Sequence, residues 1–472
     1  MLARLTLPVV LTLTMLVGAF QAWHTDRESA PQIASAHGPA QPSAVTPVVS
    51  VRRAPDWLQR PTADAALDRA LDAVVAMSPA DTCLVVRDKD RLLYSHNAAM
   101  PLVPASTVKL LTAVASLDVL GERSSFDTTV VAGAAPVNGV IAGNLWIIGG
   151  GDPILSTQDY VDRFGQTQPF TNVAGLVERI AAAGVTQIRG DIVGDESRYD
   201  TRRYVATWDP SFIADHESGP LSALTLNDGF AIYPKSKFNT PAIPADDPAQ
   251  RAASVVRDLL VQRGLRVTGA ARSGRAPTAA VEVARVSATL ADVVTEMLGQ
   301  SDNYTAESLT KELGLHATNE GTTAAGVAAA RDAAGKIALP MQGVVLVDGS
   351  GLDRSNRLTC GFLVALLDRA GATSTIASAL PVAGKAGTLA ERFIGSVATG
   401  RIHAKTGSLR NSRALAGFAD AGRAAEPRTL TFAYIANQTN LNTDANLKVQ
   451  DQLGIGLASY PQAPSLAELG PR

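Results

Sequence analysis

The sequence predicts an α/β (α+β) fold, with one antiparallel sheet carrying helices on both faces and a large inserted domain interrupting it. Three observations carry that prediction. Apolar residues recur at helical spacing near both ends of the body, at Leu67, Leu71, Val74 and Val75 within 64–77, and again over 442–460. Two largely apolar runs, 415–419 and 430–436, precede the second of these helices and read as buried strands. Between 126 and 287 the texture changes to a separate set of strand-like and helix-like runs, long enough to form a small core of its own.

Taken in order, the chain opens with Arg4 and an apolar run over 5–20, followed by polar sequence. This pattern fits a signal peptide over 1–23, with Val17-Gly18-Ala19 as a small-residue cleavage site, or an uncleaved anchor that keeps an N-terminal membrane contact. Either reading places the body outside the cytoplasm, secreted or anchored at the outer face of the membrane. Residues 24–58, rich in Ala, Pro, Ser and Gln, read as a flexible spacer. Next come the 64–77 helix and a hairpin, 83–86 and 92–94 around Asp88-Lys89-Asp90. A further helix starts around Ser106 and stops at Gly121. Within 126–287 strands are expected at 140–148, 185–193 and 226–233, and helices at 173–183 and 249–263. Gly149-Gly150-Gly151-Asp152-Pro153 lacks the Gly-Lys-Ser/Thr of a phosphate cradle and reads as a tight turn. The main body is therefore discontinuous, 59–125 and 288–460, and 461–472 is a tail.

A length of 472 residues allows two or three domains. The net charge of −2, with no basic stripe, argues against a nucleic-acid partner. Six dispersed histidines, with His216-Glu217 forming no metal signature, give no metal site, and no cofactor motif is present. The two cysteines, Cys83 and Cys360, are too few for a disulfide framework. They are expected to be two small buried hydrophobes, with a single Cys83–Cys360 bridge as the less favoured alternative.

The chemistry lies in three short motifs. Ser106-Thr107-Val108-Lys109 puts a hydroxyl and an amine one helical turn apart, so that the amine can take the proton of a serine nucleophile without a histidine. Such a pattern is common by itself, as a capping serine beside a solvated lysine. Ser301-Asp302-Asn303 and then Lys405-Thr406-Gly407-Ser408 follow it in that order. Each of these is also common alone, the first as a polar turn or helix cap and the second as a strand end.

Together, Ser-x-x-Lys, Ser-x-Asn and Lys-Thr-Gly resemble the signature set of penicillin-binding proteins and class A β-lactamases. Further stretches, Gly151-Asp152-Pro153, Ser222-Ala223-Leu224, Asn227-Asp228-Gly229, Asp348-Gly349-Ser350-Gly351-Leu352 and Ala386-Gly387-Thr388-Leu389, narrow the resemblance. Over roughly 60–460 the chain is similar to the D-alanyl-D-alanine carboxypeptidase/endopeptidases of the peptidase S13 (penicillin-binding protein 4) family. The resemblance implies a penicillin-binding-protein/β-lactamase-like transpeptidase domain. It implies peptidoglycan stem peptides as substrates and β-lactam antibiotics as covalent inhibitors. Ser106 would attack the carbonyl between two D-alanines, with Lys109 as its base. Ser301 would relay a proton to the leaving amine, and Asn303 would hold Lys109 and the substrate amide. Lys405, Thr406 and Ser408 would receive the terminal carboxylate, and Gly407 would let substrate approach the strand. The backbone N–H groups of Ser106 and Ser408 would form the oxyanion hole. Asp302 would be structural. Arg354 and Asp152 would line a pocket for the side chain of a peptidoglycan diamino acid.

Three alternatives carry less support. A serine β-lactamase needs a deacylating glutamate some tens of residues beyond Ser301-Asp302-Asn303; 331–340 contains no Glu, and Glu307 follows the motif too closely. A non-catalytic penicillin-sensing or cell-wall-binding protein would have no use for Lys109 and Ser301 as a proton relay. A Ser-His-Asp hydrolase would need Gly-x-Ser-x-Gly, whereas Ser301 lies in Gly299-Gln300-Ser301-Asp302-Asn303.

Overall fold

The structure, a computed structural model, describes residues 54–163, 168–233, 242–423 and 426–461. The expected signal peptide or anchor and nearly all of the spacer and tail lie outside them. No helix among the described residues is long and apolar enough to cross a membrane.

The elements that build the main sheet come from the two ends of the chain. Helix α1 spans Ala54–Ala76, ten residues longer at its start than its apolar stripe predicts. Residues up to 58 read as spacer for lack of periodicity; Pro55 stands in the first turn of the helix, where proline is tolerated, and Pro61 lies inside it. Strands β1 (Asp81–Asp88) and β2 (Arg91–His96) form the expected hairpin, and Lys89 takes a left-handed φ of 54° at its tip. Helix α2 (Val108–Leu120) ends at Gly121, whose φ is +89°.

Strand β3 (Ser125–Ala132) then begins a second sheet, continued by β4 (Leu145–Ile148), helix α3 (Val173–Ala182), β5 (Ile192–Asp195), helix α4 (Pro248–Gln262), β6 (Ala271–Ser273) and β7 (Val281–Thr289). Its order is β6-β5-β4-β3-β7. The outermost pair is antiparallel over its whole length, from Ser125 opposite Thr289 to Ala132 opposite Val281. The chain thus enters and leaves this region on neighbouring strands. Neither strand is anticipated from the sequence. The strand expected at 140–148 is split, because Gly143 turns the chain: Val140–Ile141 pairs with Gln187–Ile188, and only Leu145–Ile148 joins the larger sheet. The run expected at 185–193 is split in the same way about Gly190, whose backbone lies against Gly143 and Asn144. At 226–233 only Phe230–Ile232 is strand, because Asn227 and Asp228 take left-handed φ values of 56° and 54°.

Helices α5 (Leu290–Gln300), α6 (Asn303–Thr318), α7 (Thr323–Lys336) and α8 (Cys360–Ala370) follow, then strands β8 (Ile402–Leu409), β9 (Ser412–Arg423) and β10 (Glu426–Asn437), and helix α9 (Thr443–Ala458). The last three strands pair with the first two in the order β8-β9-β10-β1-β2, antiparallel throughout. The period-2 alternation of a strand sends successive side chains to opposite faces. Cys83, Val85, Ala433 and Ile435 pack on α2, α5, α6 and α8, through Leu110, Met297, Leu309 and Phe362. Leu84, Val86, Phe432 and Tyr434 pack on the two terminal helices, through Leu67, Leu71, Leu453 and Leu457. Helices therefore cover both faces, as the sequence predicts. These side chains are almost completely buried, each contributing ~1.5–3 kcal/mol of hydrophobic stabilisation.

The expectation for the cysteines is corrected. Cys83 and Cys360 are joined in a disulfide, with Cα atoms 5.9 Å apart and 277 positions between them in sequence. Strand β1 and helix α8 meet in one core, a proximity that two isolated cysteines in a sequence do not reveal. A cross-link closing so long a loop removes much of the freedom of the unfolded chain, about 5–6 kcal/mol in chain-entropy terms. The double variant Cys83→Ala, Cys360→Ala is expected to show a lower urea midpoint than the oxidised protein. An unchanged midpoint would remove this stabilising role.

Candidate active site

Ser106 lies on a single 3-10 turn, Ala105–Thr107, that opens α2. Ala105 has a φ of +48°, a conformation that side-chain-bearing residues seldom adopt. Two backbones clamp this turn. A Cβ on Gly351 would stand 2.0 Å from the Ala105 carbonyl oxygen, and one on Gly407 would stand 2.7 Å from that of Pro104. Glycine at 407 is therefore required by the approach of β8 to the Ser106 turn, whereas the sequence reading assigned it to the approach of substrate.

One turn into the helix, Lys109 is fully buried. Its Nζ donates to Ser106 Oγ at 3.0 Å, to Asn303 Oδ1 at 2.7 Å and to the Ser350 carbonyl at 2.7 Å. Asn303 Nδ2 donates in turn to the Glu217 carbonyl at 2.7 Å, which fixes the orientation of the amide. Burial lowers the Lys109 pKa to about 8; the negative charges of Asp302, Asp348, Glu307 and Glu217 oppose the shift without cancelling it.

The Ser301-Asp302-Asn303 motif is a helix junction. Ser301 ends α5 in a left-handed conformation, with φ 64°, and Asp302 caps α6 by accepting the Thr305 N–H at 2.7 Å. This is the structural role expected of Asp302. Asn303 is the first residue of α6 and faces Lys109.

Lys405, on β8, is also fully buried. Its Nζ donates to Ser301 Oγ at 2.7 Å and to the Thr406 carbonyl at 2.9 Å, both neutral acceptors. Burial, and next the Lys109 cation, hold its pKa well below the usual lysine range. The Thr406 and Thr388 hydroxyls are 2.9 Å apart. The result is a chain of groups, Ser106–Lys109–Asn303 on one side and Ser301–Lys405 on the other.

Ser106, Ser301, Asn303, Thr406, Ser408 and Arg354 line a common cleft of about 760 Å³. Asp152 is not among its lining residues. It is buried, its Oδ1 accepts the Ile154 N–H at 3.0 Å, and burial raises its pKa to about 7. The acid that the structure sets against Arg354 is Asp209, at 3.4 Å, and the guanidinium lies 5.3 Å from the centre of the Phe212 ring. The sequence reading missed Asp209 because Trp208-Asp209-Pro210 lies in a stretch without periodicity or motif. It also gave no role to Ser350 and Thr388, although both fall in stretches noted for resemblance. A backbone carbonyl leaves no mark on residue identity.

With this geometry established, comparison with known proteins is decisive. A model of the D-Ala-D-Ala carboxypeptidase 3 (S13) family matches residues 63–242 and 231–459. A D-alanyl-D-alanine carboxypeptidase of Actinomadura is 29% identical, the match covering 86% of this chain and 85% of the relative. A carboxypeptidase of Mycobacterium tuberculosis is 32% identical, over 78% and 79%. Among solved structures, penicillin binding protein 4 of Haemophilus influenzae superposes with a TM-score of 0.66 at 20% identity, covering 82% of this chain and 99% of that one. Its complex with a β-lactam gives 0.62 at 18% identity, over 82% and 99%. The superposition supports the fold that the sheet order had already given, and the family match supports the motif set, so this chain belongs to the D-Ala-D-Ala carboxypeptidase 3 (S13) family of serine peptidases.

Proposed function

We propose that this D-Ala-D-Ala carboxypeptidase works through an acyl-enzyme on Ser106, formed from the stem peptides of peptidoglycan. The observation that carries the reading is the 3.0 Å contact between Ser106 Oγ and a fully buried Lys109 amine. A lysine ammonium has three N–H donors and no acceptor. Once neutral it has two donors and one lone pair. Asn303 Oδ1 and the Ser350 carbonyl take the two donors, so the lone pair falls toward Ser106 Oγ. The amine then removes the hydroxyl proton as Oγ attacks the carbonyl between the two D-alanines.

The remaining steps belong to the same reading. The backbone N–H groups of Ser106 and Ser408 receive the developing oxyanion. Ser301, hydrogen-bonded to Lys405, passes a proton to the departing D-alanine nitrogen. The substrate's terminal carboxylate meets Lys405, Thr406 and Ser408, supplying the negative charge that Lys405 lacks in the free site. Arg354 with Asp209 offers an anion and a cation partner to a zwitterionic diamino-acid side chain. A β-lactam, whose ring amide takes the place of the D-Ala-D-Ala bond, acylates Ser106. An extracytoplasmic location, a cleft able to act on cross-linked as well as free stem peptides, and a catalytic body made of 59–125 and 288–460 around an insert at 126–287 belong to the same reading.

Only neutral Lys109 is a base, so kcat/KM should rise with pH through a midpoint near 8. An unshifted lysine would be only about 0.3% neutral at that pH. The test is D-alanine release from a pentapeptide across pH 6–10, with penicillin-labelled protein digested and its modified residue located by mass spectrometry. A label on a residue other than Ser106 would refute the proposal.

A further inference from the structure

Helix α6 carries a second group that reaches the loop in contact with the base. Glu307 follows Asn303 by four positions and so shares its face of the helix. It is completely buried. Its Oε1 accepts the backbone N–H groups of Gly349 at 3.0 Å and Ser350 at 2.8 Å, and its Oε2 is closed off from solvent. The carbonyl of that same Ser350 accepts from Lys109 Nζ at 2.7 Å. One of the fixed acceptors of the Lys109 amine, Asn303 Oδ1, is thus on α6 itself, and the residue that offers the other, Ser350, is anchored to α6 by its N–H through Glu307.

The peptide group that carries this carbonyl is held on its far side by Asp348, which accepts the Gly351 N–H at 2.8 Å. A Cβ on Gly349 would stand 1.8 Å from Thr310 Oγ1 on α6, and one on Gly351 would press on the Ala105 carbonyl. Asp348, the other buried acid here, is engaged in folding the loop. It accepts from Trp208 Nε1 at 2.9 Å, the Gly351 N–H at 2.8 Å, the Asp353 N–H at 2.7 Å and Asn356 Nδ2 at 2.7 Å.

We propose that Glu307 is a positioning residue for the general base: it anchors the Gly349–Ser350 backbone, whose Ser350 carbonyl receives the Lys109 amine, and keeps a carboxylate in the buried shell around that amine. The proposal rests on Lys109 being the base. The charged groups acting on Lys109 are Asp302 and Glu307 from α6, Asp348 from the loop before Gly349, Glu217 from the segment bonded to Asn303, and Lys405 from β8. Those acting on Glu307 are Asp348, which disfavours its ionisation, and Lys109, which favours it. Burial raises the Glu307 pKa to about 8. The negative charge of Glu307 favours the charged form of the amine, and removing the carboxylate lets the amine lose its proton at lower pH.

The test is the pH profile of kcat/KM for D-alanine release by Glu307→Gln, read beside the wild type and with a thermal melt as a check on folding. Gln keeps an oxygen for the Gly349 and Ser350 N–H groups and removes the charge, placing an amide NH2 where Oε2 stood. The rising limb is expected to move toward lower pH by about one unit, with KM unchanged and the plateau of kcat reduced by less than tenfold. A limb that stays in place overturns the proposal. Should that variant fail to fold, Glu307→Asp serves instead. It keeps the charge and withdraws the acceptor by one methylene, so the limb should stay in place while kcat falls by about tenfold; a limb displaced toward lower pH, or an unchanged kcat, overturns the proposal. Failure of the underlying reading has a different signature, a wild-type profile with no rising limb near pH 8.

Discussion

Ser106→Ala is expected to remove D-alanine release almost completely, by about 10⁵-fold, with the fold intact. Loss of a nucleophile in a serine peptidase costs on the order of 10⁶ in kcat, because no neighbouring group can form the covalent intermediate in its place. The surroundings of Ser106 make the same case. Lys109 is buried and already committed to Asn303 and Ser350, and the Ser301 hydroxyl is bonded to Lys405 on the other side of the cleft. Alanine also suits the turn. Ser106 Oγ makes no bond that holds the backbone; the local bond comes from Thr107 Oγ1 to the Pro104 carbonyl at 2.8 Å. The variant should therefore melt within a few degrees of the wild type and fail to form a covalent adduct with penicillin. Release at more than a hundredth of the wild-type rate would remove Ser106 from the role of nucleophile.

Lys109→Met should lose activity by about 10³-fold, the usual scale for removing a general base, while leaving stability within about 1 kcal/mol. Two effects of opposite sign decide the second part. An ammonium taken wholly out of water carries a desolvation cost that its neighbours offset only in part, and the pKa lowered to about 8 is the sign of that deficit. Methionine has similar length and removes this cost. Against it, Asn303 Oδ1 and the Ser350 carbonyl lose their donor, at ~1 kcal/mol each. The variant should show near-native denaturant unfolding together with slow acylation by penicillin at every pH. Acylation within tenfold of the wild type would show that the serine is activated by another group. A lysine whose removal costs function and not stability is what a site selected for chemistry requires.

The two halves of the site were not equally legible in the sequence. Ser106 and Lys109 are three positions apart, so helical geometry alone brings them together. Ser301, Asn303 and Lys405 come from a helix junction and a strand far along the chain, and their meeting with Lys109 depended on the recurrence of a known motif set. Of the two residues that resemblance assigned to a side-chain pocket, Arg354 lines the cleft, whereas Asp152 is buried in a turn and is not among the lining residues. The acid beside Arg354 is Asp209, and only the packing of the 204–217 segment over the cleft shows it. Glu307 was dismissed as misplaced for deacylation, and its place behind Lys109 became visible only with the 348–351 loop in position.

By itself the sequence determined what short-range order can determine. Apolar spacing marked the terminal helices and the closing strands, and the residues able to move a proton were named by type and order. It could not determine which distant backbones would meet. The Cys83–Cys360 bond, the pairing of β3 with β7, the clamp of Gly351 and Gly407 on the Ser106 turn and the Ser350 carbonyl beneath Lys109 all join segments well separated along the chain. Their physical basis is common. Each depends on close packing of backbone atoms or on burial that shifts a proton equilibrium, and both are properties of the assembled core, absent from any local stretch of sequence.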